Sequence, residues 1–297
     1  MSFTTPQRRA VDSLLAWYFV TAWGSGYLAT KTGIQYAAPF TFLALRFAFG
    51  LCLLVPLVIW MRPVWPARAQ VGHVLVAGLL MHAINLSGSH YAQYLGMSAG
   101  ITALILGLQP LLTAFFSAYW MREPLSRPQW AGIALGLAGV ALVVWHKIDV
   151  RAVSAGSLGA VAIALVAITA GTLYQRRFCP EVDLHGAAVL QFTVSLAVLV
   201  PLSFIFEGAR ITWSWPLVAS IAYLVIFASI LAVNALHTLM RHGEATRVTS
   251  LIYLTPLIAV ALEYFMFGVV PTALSMIGIA LTCSGVALVA MHRRRTS

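Results

Sequence analysis

GIALGLAGVALVV at residues 132–144 aligns with GIALTCSGVALVA at residues 278–290, with nine of thirteen positions identical at a constant offset of 146. The same offset places Pro110 over Pro256, in the apolar runs LQPLLTA and LTPLIAV. A register shared by two successive apolar segments is typical of an internal repeat. The sequence therefore predicts two related halves, which we place at residues 1–147 and 148–297.

The composition indicates whether this chain lies in water or in a lipid bilayer. Of 297 residues, 61% are hydrophobic and only 9% are charged, too few charged residues to cover the surface of a soluble protein. A bilayer core of roughly 30 Å is spanned by about 20 apolar helical residues. We therefore predict an all-α membrane protein with ten transmembrane helices, at about 13–33, 39–61, 70–93, 98–120, 128–146, 156–178, 184–206, 213–240, 246–267 and 272–292.

The positive charges test this count, because Lys and Arg concentrate on the cytoplasmic side of membrane proteins. With ten spans, 13 of the 18 Lys and Arg residues lie on the side of the termini. Four lie on the opposite side, and Arg46 lies within a span. The prediction is a multi-pass protein of a bacterial inner membrane with both termini cytoplasmic. Scattered cations of this kind indicate anionic lipid as the partner rather than nucleic acid.

Each predicted half has five spans, so the second half enters the membrane with opposite polarity. Inverted repeats of this kind place a substrate site near the bilayer midplane and change access by moving one half against the other. The matched fifth and tenth spans are assigned a packing role, because small residues permit close helix approach. These small residues are Gly132, Gly136, Gly139, Gly278, Ser284 and Gly285.

Several segments resemble the drug/metabolite transporter superfamily, in its EamA-type ten-helix branch. They are WGSGYLATK at 23–31, AGITALILGLQPLLTA at 99–114, MREPLSRPQWAGIALGLAGVALV at 121–143 and ATRVTSLIYLTPLIAVALEYF at 245–265. The resemblance implies a basket of helices around a central cavity and export of amino acids or other small metabolites. It is closest to bacterial aromatic amino acid exporters. One departure is that Glu123, at a family-like position, has Val269 as its repeat mate.

Arg46 and Glu263 are the charged residues placed clearly inside predicted spans. A charge in the hydrocarbon costs at least a few kcal/mol, so such residues face a partner or a wet cavity. They are predicted either to form an ion pair that helps close an external gate or to contact substrate singly. A purely structural pair and snorkelling to the interface are the alternatives.

Polar residues at helical spacing provide candidates for the cavity wall. His82 and Asn85 share one face of the third span, and Gln109 lies mid-span in the fourth, beside the predicted kink at Pro110. Pro256 predicts a matching kink. A buried, neutral, hydrogen-bonded histidine is the alternative to proton coupling at His82. The other predicted substrate-binding residues are Trp17, Trp23, Tyr27, Tyr174, Asn234, His237 and Tyr253, for which a position at the membrane interface is the alternative.

The sequence contains no HExxH or phosphate-loop motif, and its three cysteines are too dispersed for a zinc motif or a disulfide framework. We therefore predict a monomeric transporter without cofactor, not an enzyme. It would export aromatic or other apolar amino acids by alternating access. A multidrug or cationic-compound exporter, with Glu263 facing the cavity, is the alternative within transport. An intramembrane lipid-modifying enzyme is the alternative from another class.

Overall fold

A computed structural model describes residues 5–120, 125–149, 153–180, 182–241 and 254–293. Within these ranges the chain is almost entirely helical. The helices are α1 (Thr5–Gly33), α2 (Pro39–Met61), α3 (Arg68–Tyr94), α4 (Ala99–Trp120), α5 (Arg127–Asp149), α6 (Ala155–Phe178), α7 (Leu184–Glu207), α8 (Trp215–Ala222, Tyr223–Leu231 and Ala232–Arg241), α9 (Thr255–Phe267) and α10 (Ala273–Arg293).

Among the described residues, six stretches are long and apolar enough to cross a membrane: α2, α3, α4, Arg127–Trp145 of α5, α6 and α7. Trp215–Leu231, Thr255–Phe267 and Ala273–Val289 are shorter apolar helices. The protein is therefore an all-helical, multi-pass membrane protein. The count of ten spans stays a prediction, and the first part of the predicted ninth span, up to residue 253, lies outside the described residues.

Irregularities occur at corresponding places in the two halves. Pro56 lies inside α2 and Pro201 inside α7. A π-helical segment, Leu79–Ile84, interrupts α3, and another, Tyr223–Leu231, interrupts α8. Such segments free backbone groups locally and often mark functional sites. Both π-helical segments carry side chains of the cavity described below.

The closest helix packing joins one half to the other. The most extensive pairs are α5 with α10, α3 with α6, α1 with α8, and α2 with α7. Between α5 and α10 the backbones touch: a Cβ added at Gly132 would lie 2.6 Å from the Gly285 carbonyl oxygen, and one at Gly139 would lie 2.5 Å from that of Gly278. This geometry confirms the predicted packing role of these four glycines. Ser284 is exposed instead, and α10 also contributes Thr282, Cys283 and Val286 to the cavity described below.

Candidate functional site

A cavity of about 520 Å³ lies between the halves. Its wall is built by α1 to α4 from the first half and by α6 to α10 from the second. We call it the central cavity. Its volume is within the range of small-molecule sites, which combine apolar walls with a few placed polar groups.

Most predicted site residues lie on this wall. Trp23 and Tyr27 of α1 lie on it together with His82 and Asn85 of α3. The remaining predicted residues on the wall are Arg46, Gln109, Pro110, Asn234 and Pro256. The structure therefore brings side chains that were predicted from the sequence, on six different helices, to the central cavity.

Other predicted residues lie elsewhere. Trp17 is half-exposed and is not on the wall of the central cavity. The Tyr174 hydroxyl is 2.8 Å from His73 Nδ1, and its ring packs against Phe178. This places Tyr174 in a contact between α6 and α3 rather than on the cavity wall. The side chain of His237 and the whole of Tyr253 lie outside the described residues.

Replacing Tyr174 by phenylalanine tests this placement. Removing the hydroxyl deletes its hydrogen bond to His73, so the free energy of unfolding should fall by about 1 kcal/mol. Substrate affinity should not change. Thermal denaturation and equilibrium binding measure the two effects, with Tyr27→Phe as the same deletion on the cavity wall. A loss of affinity without a loss of stability would place Tyr174 in the binding site.

Hydrogen bonds order the polar part of the wall. His82 Nε2 lies 3.2 Å from Gln191 Oε1, linking α3 to α7. The His90 ring nitrogens lie 3.1 Å from Ser89 Oγ and 3.4 Å from Thr30 Oγ1. Both histidines therefore have neutral hydrogen-bond partners. For His82, this agrees with the alternative to proton coupling, a buried and hydrogen-bonded neutral histidine.

Further polar residues on the wall were not among the predicted site residues. Gln191 was missed because α7 is nearly continuous apolar sequence around it. Gln93 lies four residues after Ser89 on the polar face of α3, so the helical spacing contained the signal. Ser229 could not be found from spacing, since it lies within the π-helical segment of α8.

The charge of the described wall comes from Arg46. Its Nη2 donates to Ser229 Oγ at 3.3 Å. The described residues of the wall include three histidines but no Asp, Glu or Lys. The central cavity is therefore suited to a substrate with a negatively charged group, since an unpaired guanidinium binds carboxylates well.

The predicted pairing of Arg46 with Glu263 is wrong. Glu263 Oε1 lies 2.6 Å from Lys31 Nζ at the end of α1. Glu263 also accepts from the backbone amides of Ala99, at 3.0 Å, and Gly100, at 2.9 Å, where α4 begins. Its carboxylate thus neutralises Lys31 and caps α4, a position that satisfies otherwise unpaired helix amides and favours negative charge. It is not on the wall of the central cavity.

A second carboxylate acts in the same way. Glu207, the last residue of α7, accepts from the Phe40 and Thr41 amides at the start of α2, at 2.9 and 2.8 Å. It also accepts from the Tyr91 hydroxyl at 2.7 Å. Nearby, the Thr212 amide donates to the Tyr36 carbonyl at 2.8 Å. Acidic residues from the second half therefore cap two helices of the first half.

Comparison with known proteins agrees with this architecture. The EamA-like transporter family matches twice, at residues 13–145 and 155–291. The transporter YvbV of Bacillus subtilis is 29% identical, over 93% of this chain and 90% of its own. The inner membrane transporter YedA of Escherichia coli K12 is 26% identical, over 95% and 90%.

Two further proteins are similar over almost the whole chain. A probable amino-acid metabolite efflux pump of Salmonella typhimurium is 25% identical, over 92% of this chain and 93% of its own. A solved structure superimposes with a TM-score of 0.66 at 22% identity, covering 97% of this chain and 99% of that one, which supports the fold alone. Since the family profile covers both halves, the chain belongs to the EamA-like transporter family.

Proposed function

We propose that this protein exports amino acids with aromatic or other apolar side chains across a bacterial inner membrane. Substrate passes through the central cavity by alternating access. The observation that carries the proposal is the composition of the wall. Aromatic and aliphatic side chains from both halves surround amides, hydroxyls and one guanidinium, without a described carboxylate. An amphipathic molecule with a carboxylate suits such a wall.

Ten spans in two inverted halves, with both termini cytoplasmic, complete the proposal. Paired irregularities in α2 and α7 and in α3 and α8 support it, as does the double match to the family. The contact of Gly132 with Gly285 also has its repeat counterpart in the contact of Gly278 with Gly139. A two-fold relation between the halves would require this reciprocity.

In that orientation the central cavity reaches the cytoplasmic ends of α6 and α7. Its wall includes Gln175 near the end of α6 and Leu184 and His185 at the start of α7, all at predicted cytoplasmic helix ends. The contacts of Glu263 and Glu207 lie at the opposite, external ends of their helices. We infer that this conformation takes up substrate from the cytoplasm while these contacts close the external end, as an exporter requires before substrate moves.

The names of two relatives support particular parts of the proposal. One is called a probable amino-acid metabolite efflux pump, and another an inner membrane transporter. The cationic-compound alternative is less well supported, because it required Glu263 to face the cavity. That carboxylate is instead bonded to Lys31 and α4.

Uptake into proteoliposomes tests the function. Purified protein is expected to transport labelled tryptophan and phenylalanine saturably, and alanine and threonine less well, because only the aromatic pair fills the apolar part of the cavity. Empty liposomes are the control, and each substrate is measured with and without a pH gradient. Uptake of a cationic drug without any amino acid would overturn the substrate assignment in favour of multidrug export.

A further inference from the structure

The guanidinium of Arg46 lacks a charged partner in the part of the chain that the structure describes. Its hydrogen bond goes to a neutral hydroxyl, that of Ser229, at 3.3 Å. The two carboxylates that cap helices are engaged elsewhere. Glu263 pairs with Lys31, and Glu207 accepts from backbone amides of α2. A charge at this depth costs at least a few kcal/mol without a counterion. This cost would be offset by an anion that enters and leaves.

Two amide side chains on the same wall also have unpaired atoms. Asn85 and Gln93 are only 8% and 6% exposed. Asn85 donates through Nδ2 to the Met81 carbonyl, but its Oδ1 is unpartnered. Both Nε2 and Oε1 of Gln93 are unpartnered. These atoms have almost no exposed surface, so a ligand reaches them only when the side chains turn toward the cavity. Pairing them there would be favourable, because buried polar groups are nearly always hydrogen-bonded.

The histidines of this region are already engaged. His82 is bonded to Gln191, and His90 to Thr30 and Ser89. Phe42 and Phe47, on either side of Arg46 in α2, pack against the His90 and His82 rings, with centroids 5.8 and 6.0 Å apart. The strongest remaining anion-binding group is therefore the guanidinium, and the available neutral acceptors are the two amide oxygens.

These unpaired groups are complementary to one chemical class. A guanidinium donates two parallel hydrogen bonds to a carboxylate. A neutral amide oxygen accepts a hydrogen bond from an ammonium. Unlike a carboxylate, it adds no negative charge that would favour binding of simple cations. We propose that Arg46, Asn85 and Gln93 form a subsite for the zwitterionic headgroup of an α-amino acid. Arg46 binds the carboxylate, and one of the two amides binds the ammonium, because Asn85 and Gln93 lie eight residues apart, about 12 Å along α3, too far for one ammonium to contact both. The inference rests on the proposed function and specifies its site.

The substrate side chain has a suitable environment next to this subsite. Phe47 follows Arg46 in α2 and packs edge-on against Phe192 of α7, with ring centroids 5.0 Å apart. The His82 ring lies 5.2 Å from Phe192. An aromatic side chain whose headgroup is held at Arg46 would extend this cluster by favourable edge-to-face contacts.

Three ligands with the same ring separate the two halves of the subsite. Phenylalanine has both charged groups, 3-phenylpropionate lacks the amine, and phenethylamine lacks the carboxylate. Titration calorimetry of the full-length protein in lipid nanodiscs should rank them in that order of affinity. We expect loss of the carboxylate to weaken binding by about tenfold to a hundredfold, since a charged hydrogen-bonded contact is lost.

Variants assign each contact to its residue. Arg46→Gln should weaken binding of phenylalanine and 3-phenylpropionate by about the same factor and leave phenethylamine unchanged, whereas Arg46→Lys should recover part of the loss. Asn85→Ala with Gln93→Ala should weaken phenylalanine but not 3-phenylpropionate. Arg68→Gln, the same change at an exposed residue where α3 begins, is the control and should behave as wild type. Melting temperatures identify any variant that is misfolded.

The ligand series on wild-type protein is informative without any variant. The subsite is overturned if phenethylamine binds as tightly as phenylalanine, or if Arg46→Gln weakens all three ligands equally. The proposed function fails separately. If no amino acid binds but aliphatic carboxylates do, and Arg46→Gln abolishes their binding, the carboxylate contact stands while the amino acid assignment falls.

Discussion

Replacing Gly285 by leucine is expected to give the largest loss of stability of any single change considered for this protein. A Cβ at Gly285 would lie 2.5 Å from both the Gly132 carbonyl oxygen and the Gly136 amide nitrogen. Backbone atoms cannot yield as a flexible side chain would, so α5 and α10 must separate. We expect the free energy of unfolding to fall by about 3 kcal/mol.

Thermal unfolding of the purified protein in detergent measures this effect. Gly285→Ala adds only the clashing Cβ and should already lower the melting temperature. Gly159→Ala in α6 is the matched control, because nothing lies within 4 Å of the added atom there. That change should be neutral or slightly stabilising, since alanine favours helix more than glycine. A Gly285→Leu protein as stable as the control would contradict the contact between α5 and α10.

Much of this contact could be predicted from the sequence. The repeat identified α5 and α10 as related, and small residues at Gly132, Gly139, Gly278 and Gly285 indicated close approach. Both features are local patterns. The sequence does not show that these two helices pack on each other rather than on other helices. That pairing depends on how the two halves pack together.

The cavity wall was predictable for the same reason. His82 and Asn85 share a helical face, and Gln109 lies beside a kink, so local spacing was enough to place them near each other. Arg46 was recognised because a charge within an apolar span requires a cavity or a partner. The structure adds the identity of the neighbours, including Gln191 and Ser229, which come from helices distant in sequence.

Glu263 shows where sequence reasoning fails. It looked like the natural partner of Arg46 because both are isolated charges in apolar sequence. Lys31 was counted only as a cation on the side opposite the termini, at the end of the predicted first span. The structure places its ammonium against the last turns of α9. Which helix ends meet depends on tertiary packing. Because every helix start has unpaired backbone amides, the sequence does not show which start Glu263 caps.

The second large effect is expected for Glu263→Gln. Glu263 is only 2% exposed, and its carboxylate joins α9 of the second half to α1 and α4 of the first. An amide of the same shape retains one acceptor oxygen but loses the ion pair with Lys31. In the proposed orientation these contacts close the external end, so the variant should populate the outward-open state more. A loss of about 1.4 kcal/mol would raise that population about tenfold.

Cys283 provides a reporter for this shift, because it lies on the wall of the central cavity. In a Cys52→Ala, Cys179→Ala background, a membrane-impermeant thiol reagent added outside right-side-out vesicles should label Cys283 slowly. Adding Glu263→Gln should raise the initial labelling rate about tenfold, in proportion to the outward-open population. Asp183→Asn is the control: this carboxylate caps α7 at the predicted cytoplasmic end, where asparagine also caps well.

A double-mutant cycle with Lys31→Met assigns the effect to the ion pair. If Lys31 and Glu263 act together, the double variant should label about as fast as either single variant, since one interaction is removed in all three. Additive increases would mean that the two residues act independently. Unchanged labelling in Glu263→Gln, with intact folding, would show that this contact does not close the external end. The cap on α4 would then be purely structural.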